Sequence, residues 1–100
     1  MKAAPEREAA AERASLVIPA YNERNRVAAS IQAVAQWARS RPGGSEWEVV
    51  LVDDGSTDGT AEIARRAAAD AGLPLAILAH PVNRGKGAAI RTGVLGSRGD

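Results

Sequence analysis

Three short runs of apolar residues recur along the chain, and each is followed by a turn and a longer segment of mixed polarity. Their β-branched and leucine content is typical of strands that are buried on both faces of a sheet. The runs lie at 16–18, 49–52 and 75–78. The first strand is expected to end at Pro19, because proline has no N–H to donate to a central ladder. The second is expected to span Glu48 to Asp53.

The segments between the runs have helical periodicity. Apolar residues in 23–39 recur at spacings of four, three and four, which is one face of an amphipathic helix. That face comprises Val27, Ile31, Val34 and Ala38. A second helix is expected over 60–71 with Gly72 as its stop signal, and its inward residues are Ile63, Ala64, Ala67 and Ala71. A third helix over about 87–96 carries Ile90 and Val94.

The order of these elements, βαβαβα, predicts the α/β class. Strands that alternate with helices are joined by right-handed crossovers and form a parallel, Rossmann-like sheet. Residues 1–14, rich in Ala, Glu and Arg, are expected to form a frayed helix or a disordered tail. The folded unit is therefore predicted to be 15–100.

The composition limits the classes of function. A formal charge of +1 on 100 residues gives no general field to attract nucleic acid, so no nucleic-acid partner is expected. The chain has no cysteine, which fits a reducing compartment. No run approaches the roughly 20 apolar residues of a membrane span. We therefore expect a cytoplasmic location.

Polar residues follow each of the three strands. Asp53 and Asp54 end the second strand, and in an open α/β sheet this edge is where ligands bind. A carboxylate there can accept a hydrogen bond from a ribose hydroxyl or a base N–H. Asp58 or Thr57 is placed to cap the following helix. The sequence thus predicts a nucleotide site at the carboxyl edge of the sheet.

The two common phosphate-binding motifs are absent. The turn after the first strand reads PAYNE, where a dinucleotide-binding fold needs G-x-G-x-x-G for close approach to a pyrophosphate. No G-x-x-x-x-G-K-[ST] loop occurs either, because Gly85-Lys86 is followed by Gly87. A dinucleotide-dependent oxidoreductase is accordingly the least favoured of the enzyme classes.

Three motifs together resemble glycosyltransferase family 2: LVIPAYNE at 16–23, VVLVDDGSTDGT at 49–60 and NRGKGAAIRTGV at 83–94. The resemblance implies a GT-A fold whose first half binds the nucleotide. The third motif is similar to the branch that moves a sugar from a nucleotide onto a dolichyl or polyprenyl phosphate. What this branch implies is an inverting hexosyltransferase that uses a UDP-sugar, with glucose as the expected sugar and a lipid phosphate as acceptor at the cytoplasmic face of a membrane.

The resemblance also implies roles for individual residues. Asp54 is expected to accept the ring N–H of the base, whereas Asp53 is equally well explained as a ligand or as an acid that stabilises its own turn. The remaining nucleoside-site residues implied by the family are Pro19, Tyr21, Glu23 and Val52.

Arg84 and Lys86 are placed to meet the diphosphate. Lys86 lies between two glycines at the start of the third helix, where free backbone N–H groups and the helix dipole favour an anion. The alternative is a solvated loop whose glycines serve helix packing. His80, the one histidine of the chain, is interpreted as structural rather than as a base.

The family's divalent metal, Mg²⁺ or Mn²⁺, is held by a D-x-D motif, and no D-x-D occurs in this sequence. We therefore expect no catalytic or metal-ligating residue in the chain, and nucleotide binding without sugar transfer by the chain alone. Two alternatives stay open: a family 2 enzyme that acts on a polysaccharide or glycan, and an inactive nucleotide-binding module. The sequence does not indicate an oligomeric state.

Overall fold

A computed structural model describes residues 14–40 and 47–96. Strands and helices alternate along these residues, as the apolar pattern predicts. The strands are β1 (Ala14–Ala20), β2 (Trp47–Asp54) and β3 (Leu75–His80), and the helices are α1 (Val27–Arg39), α2 (Thr60–Ala71) and α3 (Lys86–Gly96). The predicted tail lies outside the described residues, apart from Ala14, which begins β1.

The three strands form one parallel sheet in the order β1-β2-β3. The register pairs Ala20 with Asp53 and Asp54 with His80, so all three strands end at the same level. The predicted Rossmann-like α/β fold is confirmed. The turns that follow the strands therefore lie side by side at one edge of the sheet.

Only the central strand is buried on both faces. Residues 49–52 of β2 are buried, whereas most of β1 and β3 is half-buried or exposed. The prediction that all three strands are buried on both faces is therefore wrong for β1 and β3, which have one neighbouring strand each among the described residues.

β1 does not end at Pro19, as its sequence suggested. The strand continues to Ala20, and Pro19 lies in register with Val52. Proline is tolerated because β1 is an edge strand of the described sheet, where the missing N–H need not face a neighbour. β2 likewise extends one residue beyond the prediction, to Asp54, and β3 extends two, to His80.

Helices pack on both faces of the sheet. On one face, α1 and α2 cover Val49 and Leu51 with Ile31 and Ala64. On the other face α3 lies over the sheet, and Ala89 packs with Val50 and Val52. The core beneath α3 is thin, because the helix presents small residues to the sheet.

α3 packs on the sheet through its small residues rather than through its large apolar ones. The buried positions are Ala89 and Gly93, whereas Ile90 is exposed and Val94 is 57% exposed. A Cβ atom on Gly93 would overlap Val17 and lie 3.1 Å from Val52 Cγ2. Close approach of α3 to the sheet therefore requires glycine there, and the large residues turn outward.

α1 begins at Val27 rather than near Glu23. A turn closed by the Glu23 carbonyl precedes it, with N–H groups of Arg26 and Val27 donating at 2.9 and 2.8 Å. Asn22 has a left-handed φ of 52°. Hydrogen bonds that join Asn22 and Glu23 to the loop after β2 and to Thr60 hold the backbone here, so the helix does not extend back to Glu23.

Candidate nucleotide site

Asp54, the last residue of β2, connects the end of that strand to the loop that precedes α3. Its carboxylate accepts four hydrogen bonds and is 2% exposed as a residue. Oδ1 contacts His80 Nδ1 at 2.6 Å and accepts from the Arg84 N–H at 2.9 Å. Oδ2 accepts from Asn83 Nδ2 at 3.0 Å and from the Gly85 N–H at 2.8 Å. The carboxylate thus fixes the 83–85 loop against β2.

These donors stabilise the charged form of Asp54. The side-chain hydrogen bond from His80 is the largest influence and lowers the pKa of Asp54 below its ordinary value. Desolvation opposes this shift, and the backbone N–H groups of Arg84 and Gly85 add to it. Asp54 is therefore an anion at neutral pH.

A carboxylate has about four lone-pair sites, and the four described donors use all of them at Asp54. The prediction that Asp54 accepts a base N–H stays a prediction. It now requires the ligand to replace one of these donors or to share an oxygen with them.

Asp53 has more capacity to accept a ligand's hydrogen bond. Its Oδ1 accepts from the Ser56 N–H at 3.0 Å, which is the turn-stabilising role that the sequence offered as one alternative. Within residues 14–40 and 47–96 no other hydrogen bond to this carboxylate is present, and every inaccessible side-chain oxygen there has a partner. Its second oxygen therefore reaches solvent at the sheet edge.

The loops after β1 and β2 are joined by reciprocal hydrogen bonds. The Asn22 N–H donates to Ser56 Oγ at 2.8 Å, and the Thr57 N–H donates to Asn22 Oδ1 at 2.9 Å. The Glu23 N–H donates to the buried Thr60 Oγ1 at 2.9 Å. This network holds the PAYNE turn, residues 19–23, beside the DDGST turn, residues 53–57.

Asp58 supports the same network and the start of α2. Its Oδ1 accepts from the Thr60 N–H at 3.1 Å and from the Thr60 hydroxyl, and its Oδ2 accepts from the Arg24 N–H at 3.2 Å. The hydroxyl of Thr60 is the main cause that lowers the pKa of Asp58. The N-cap position itself is Gly59, with a left-handed φ of 86°, so Asp58 acts from the preceding position.

The predicted nucleoside residues at the end of β1 and in the turn that follows are at least partly accessible. Tyr21 is 47% exposed and is free to stack on a flat ligand. Pro19 and Glu23 line a shallow groove of about 270 Å³ with Arg26, and Arg26 lies 2.8 Å from the Glu23 carboxylate. The sequence did not single out Arg26.

The remaining predicted residues differ in accessibility. Arg84 and Lys86 are exposed, so both cations face solvent at the edge where α3 begins. The Val52 side chain is fully buried in the core beneath this edge. Val52 has no exposed surface as a residue, so the prediction that it packs beside the base would require the residues that cover it to move.

A metal site is a separate question. In the part of the chain that the structure describes, no three His, Asp or Glu side chains are grouped as metal ligands. The described residues offer no ligand set for the divalent cation that the resemblance implies, and we assign no chemical step to a metal here.

Three residues of the site were missed or undervalued from the sequence. His80 and Thr92 form a chain with Asp54, because His80 Nε2 contacts Thr92 Oγ1 at 2.7 Å. Asn83 donates both to the Asp54 carboxylate and to its carbonyl oxygen. The sequence signal that could have identified His80 is its position at the end of the third apolar run, which a parallel sheet places level with Asp54.

Comparison with known proteins decides the family. The profile described as "Glycosyl transferase family 2" matches residues 15–100. The chain belongs to glycosyltransferase family 2. The motifs at 16–23, 49–60 and 83–94 of this family 2 chain all lie in the matched region, and the resemblance drawn from them is confirmed.

The family 2 chain is similar to a curated relative and to solved structures. It is 41% identical over 90 residues to dolichyl-phosphate beta-glucosyltransferase ALG5A of Trichomonas vaginalis, covering 86% of the chain and 27% of that protein. It superposes with a TM-score of 0.71 and 31% identity on mannosyltransferase PcManGT from Pyrobaculum calidifontis in complex with GDP-Man and Mn²⁺, covering 87% of the chain and 25% of that structure.

A third similarity is to glucosyl-3-phosphoglycerate synthase from Mycobacterium tuberculosis, in complex with Mn²⁺, UDP and glucosyl-3-phosphoglycerate. The TM-score is 0.61 at 27% identity, covering 95% of the chain and 33% of that structure. The family 2 chain therefore spans about a quarter to a third of the length of the proteins it matches. Separately, no helix among the described residues is long and apolar enough to cross a membrane.

Proposed function

We propose that residues 15–100 form the nucleotide-binding part of an inverting glycosyltransferase that moves a hexose from a UDP-sugar to a dolichyl or polyprenyl phosphate. The observation that carries the proposal is the convergence of all three family motifs on one sheet edge, where Asp54 fixes the 83–85 loop beside the Asp53 turn. Similarity to a dolichyl-phosphate glucosyltransferase supports the acceptor class.

The residues at this edge have separate tasks in the proposal. Tyr21 stacks on the base, and Glu23 with Pro19 lines the adjoining groove. Arg84 and Lys86 face the diphosphate, whose negative charge grows as it leaves the sugar, so fixed positive charge there favours the transition state. The divalent cation expected for the full-length enzyme has no ligand set among the described residues, so no step of the proposal is routed through it.

The acceptor chemistry fits a lipid phosphate. Its phosphate oxygen is already an anion, so it can attack the anomeric carbon from the face opposite the diphosphate without a strong general base in the described residues. One bond forms to the acceptor oxygen as the bond to the diphosphate breaks, and the configuration at the sugar is inverted. A cytoplasmic location, which the absence of cysteine favours, is part of the proposal.

Two carboxylates compete for the role of base acceptor, and calorimetric titration with UDP and GDP separates them. If Asp53 accepts the base N–H, Asp53→Asn weakens UDP binding by about 1 to 3 kcal/mol, the cost of an unsatisfied polar partner. If Asp54 does so, Asp54→Asn weakens uridine binding as well as UDP binding, whereas a loss confined to UDP reports only the displaced 83–85 loop. Asp70→Asn, the same chemical change on an exposed site of α2, is the control and should bind like the unaltered chain.

An unchanged affinity in both Asp53→Asn and Asp54→Asn would refute base recognition by this acidic pair. Absence of any UDP or GDP binding by the unaltered chain would refute the nucleotide site as a whole. A preference for GDP over UDP would change the proposed donor and leave the site in place, as the GDP-Man complex of the mannosyltransferase makes reasonable.

The diphosphate role is tested by comparing UDP with uridine. Lys86→Ala should weaken UDP binding and leave uridine binding unchanged, because uridine has no phosphate for the lysine to meet. Arg66→Ala, which removes an exposed cation on α2, should change neither affinity. If Lys86→Ala weakens uridine and UDP equally, the diphosphate assignment is wrong.

A second candidate function is transfer to a soluble acceptor or a glycan by another member of the same family. The observation that favours it is the similarity to glucosyl-3-phosphoglycerate synthase, whose name specifies a small phosphorylated acceptor. Both candidates share the nucleotide site, so product formation with each acceptor class in the enzyme that contains this chain separates them.

A further inference from the structure

His80 is a buried titratable group that the proposed binding scheme does not use. It is 7% exposed, ends β3, and has a partner at each ring nitrogen. Nδ1 lies 2.6 Å from Asp54 Oδ1, and Nε2 lies 2.7 Å from Thr92 Oγ1. The ring therefore connects β2, β3 and α3 at the level of the nucleotide edge.

We propose that His80 is a positioning residue that acts through Asp54 to set the 83–85 loop, and with it Arg84 and Lys86, for a nucleoside diphosphate. The inference rests on the proposed nucleotide site and deepens it. His80 itself touches no ligand in this scheme, because its ring is enclosed by protein. Its effect reaches the ligand through one carboxylate.

The geometry favours this role over that of an ordinary core histidine. Asp54 uses one oxygen for His80 and the Arg84 N–H, and the other for Asn83 and the Gly85 N–H. A rotation of the carboxylate would weaken both backbone bonds at once, and His80 is the side chain that opposes such a rotation from inside the fold.

The same loop has no room to shift toward β2. A Cβ atom on Gly55 would lie 2.9 Å from Val82 Cα and closer still to Asn83 N and Val82 C. The loop is thus packed against the DDGST turn on one side and bonded to Asp54 on the other. Arg84 and Lys86 extend from a backbone that is held on two sides.

Two amide substitutions at position 80 separate the two contacts of the ring. The amide nitrogen of Asn stands as many bonds from Cβ as Nδ1 does, so His80→Asn can still donate to Asp54. The amide nitrogen of Gln corresponds to Nε2, so His80→Gln keeps the Thr92 contact and loses Asp54. The proposal predicts UDP affinity within about twofold of the unaltered chain for His80→Asn and about tenfold weaker for His80→Gln, a loss of about 1.4 kcal/mol.

Uridine affinity distinguishes positioning from general damage. If Asp53 accepts the base N–H, uridine should bind both His80 variants like the unaltered chain. If Asp54 accepts it, uridine binding falls in His80→Gln as well, but by less than UDP binding, because only UDP also loses the placement of the diphosphate loop. Equal UDP affinity in the two variants, or an equal loss of uridine and UDP binding in His80→Gln, would overturn the inference. If the unaltered chain binds neither ligand, the proposed function fails instead.

A readout without ligand tests the inference independently. Amide hydrogen exchange at Arg84 and Gly85 should be faster in His80→Gln than in His80→Asn, because these N–H groups donate to Asp54. Thr92→Val removes the outer hydroxyl at nearly constant volume and keeps the His80–Asp54 contact, so exchange at these two amides should stay close to that of the unaltered chain. Unchanged exchange in His80→Gln, or acceleration by Thr92→Val as large as that by His80→Gln, would contradict the positioning role, even if His80→Asn failed to fold.

Discussion

Substitution of Gly55 by alanine is expected to damage the nucleotide edge more than the same substitution at another glycine with positive φ. Gly55 has φ +78°, and its missing Cβ would overlap backbone atoms of Val82 and Asn83. Gly72 has φ +68° with nothing within 4 Å of its Cβ position, so it reports backbone strain alone. The pair therefore isolates the steric contribution.

The magnitudes follow from these two contributions. A left-handed conformation costs a residue with a side chain about 1 to 2 kcal/mol, which is the whole loss expected for Gly72→Ala. Crowding in a packed region adds about 1 to 3 kcal/mol. It cannot be relieved here by rotating a side chain, since the crowded atoms are backbone. Gly55→Ala should accordingly lose about 2 to 5 kcal/mol of unfolding free energy.

Urea unfolding measures the unfolding free energy of both variants, and the shift in midpoint is interpreted at a constant m value. UDP affinity is measured on the folded fraction, and it should fall for Gly55→Ala because the 83–85 loop must move, but not for Gly72→Ala. Equal destabilisation by the two substitutions would show that the DDGST turn and the β3–α3 loop are not in the contact that we describe.

Three further predictions follow. The pKa of Asp54 is lowered in the folded chain, so its charged carboxylate stabilises the fold fully above the ordinary pKa of about 3.9. This stabilisation is lost as pH falls through the folded-state pKa. In urea titrations across that pH range, the unfolding free energy of Asp54→Asn should therefore fall less steeply with acid than that of the unaltered chain. Gly93→Ala should destabilise the fold through its overlap with Val17, and a double-mutant cycle with Val17→Ala should recover part of the loss; strict additivity would contradict the packing of α3. The chain alone should form no product from UDP-glucose, polyprenyl phosphate and Mn²⁺, and turnover proportional to its concentration would show that the catalytic centre is misplaced.

The limits of an element were predictable where residues adjacent in the sequence set them. The limits of α2, Thr60–Ala71, match the prediction because glycines with left-handed φ stand at both ends, at 59 and 72. The parallel sheet follows from the alternation of elements. The end of β1 and the start of α1 differ from the prediction, because tertiary contacts of the turn at Asn22 determine them.

The centre of the site was not predictable in the same way. Asp54 and His80 are 26 residues apart, and their contact depends on the register of β2 and β3. The outward turn of Val94 depends on close packing at Gly93, which a periodic pattern of large apolar residues does not reveal. Sequence motifs thus located the edge of the sheet, while the partners of each carboxylate required three-dimensional structure.

The most direct test of the nucleotide site is an NMR titration of the chain with UDP that follows backbone amides. We predict the largest shift changes at Tyr21, Asp53, Arg84 and Lys86, with uridine reproducing those at Tyr21 and Asp53 but not those at Arg84 and Lys86. Changes centred instead on the groove between α1 and α2, around Gln32 and Arg66, would contradict the account, as would the absence of any change.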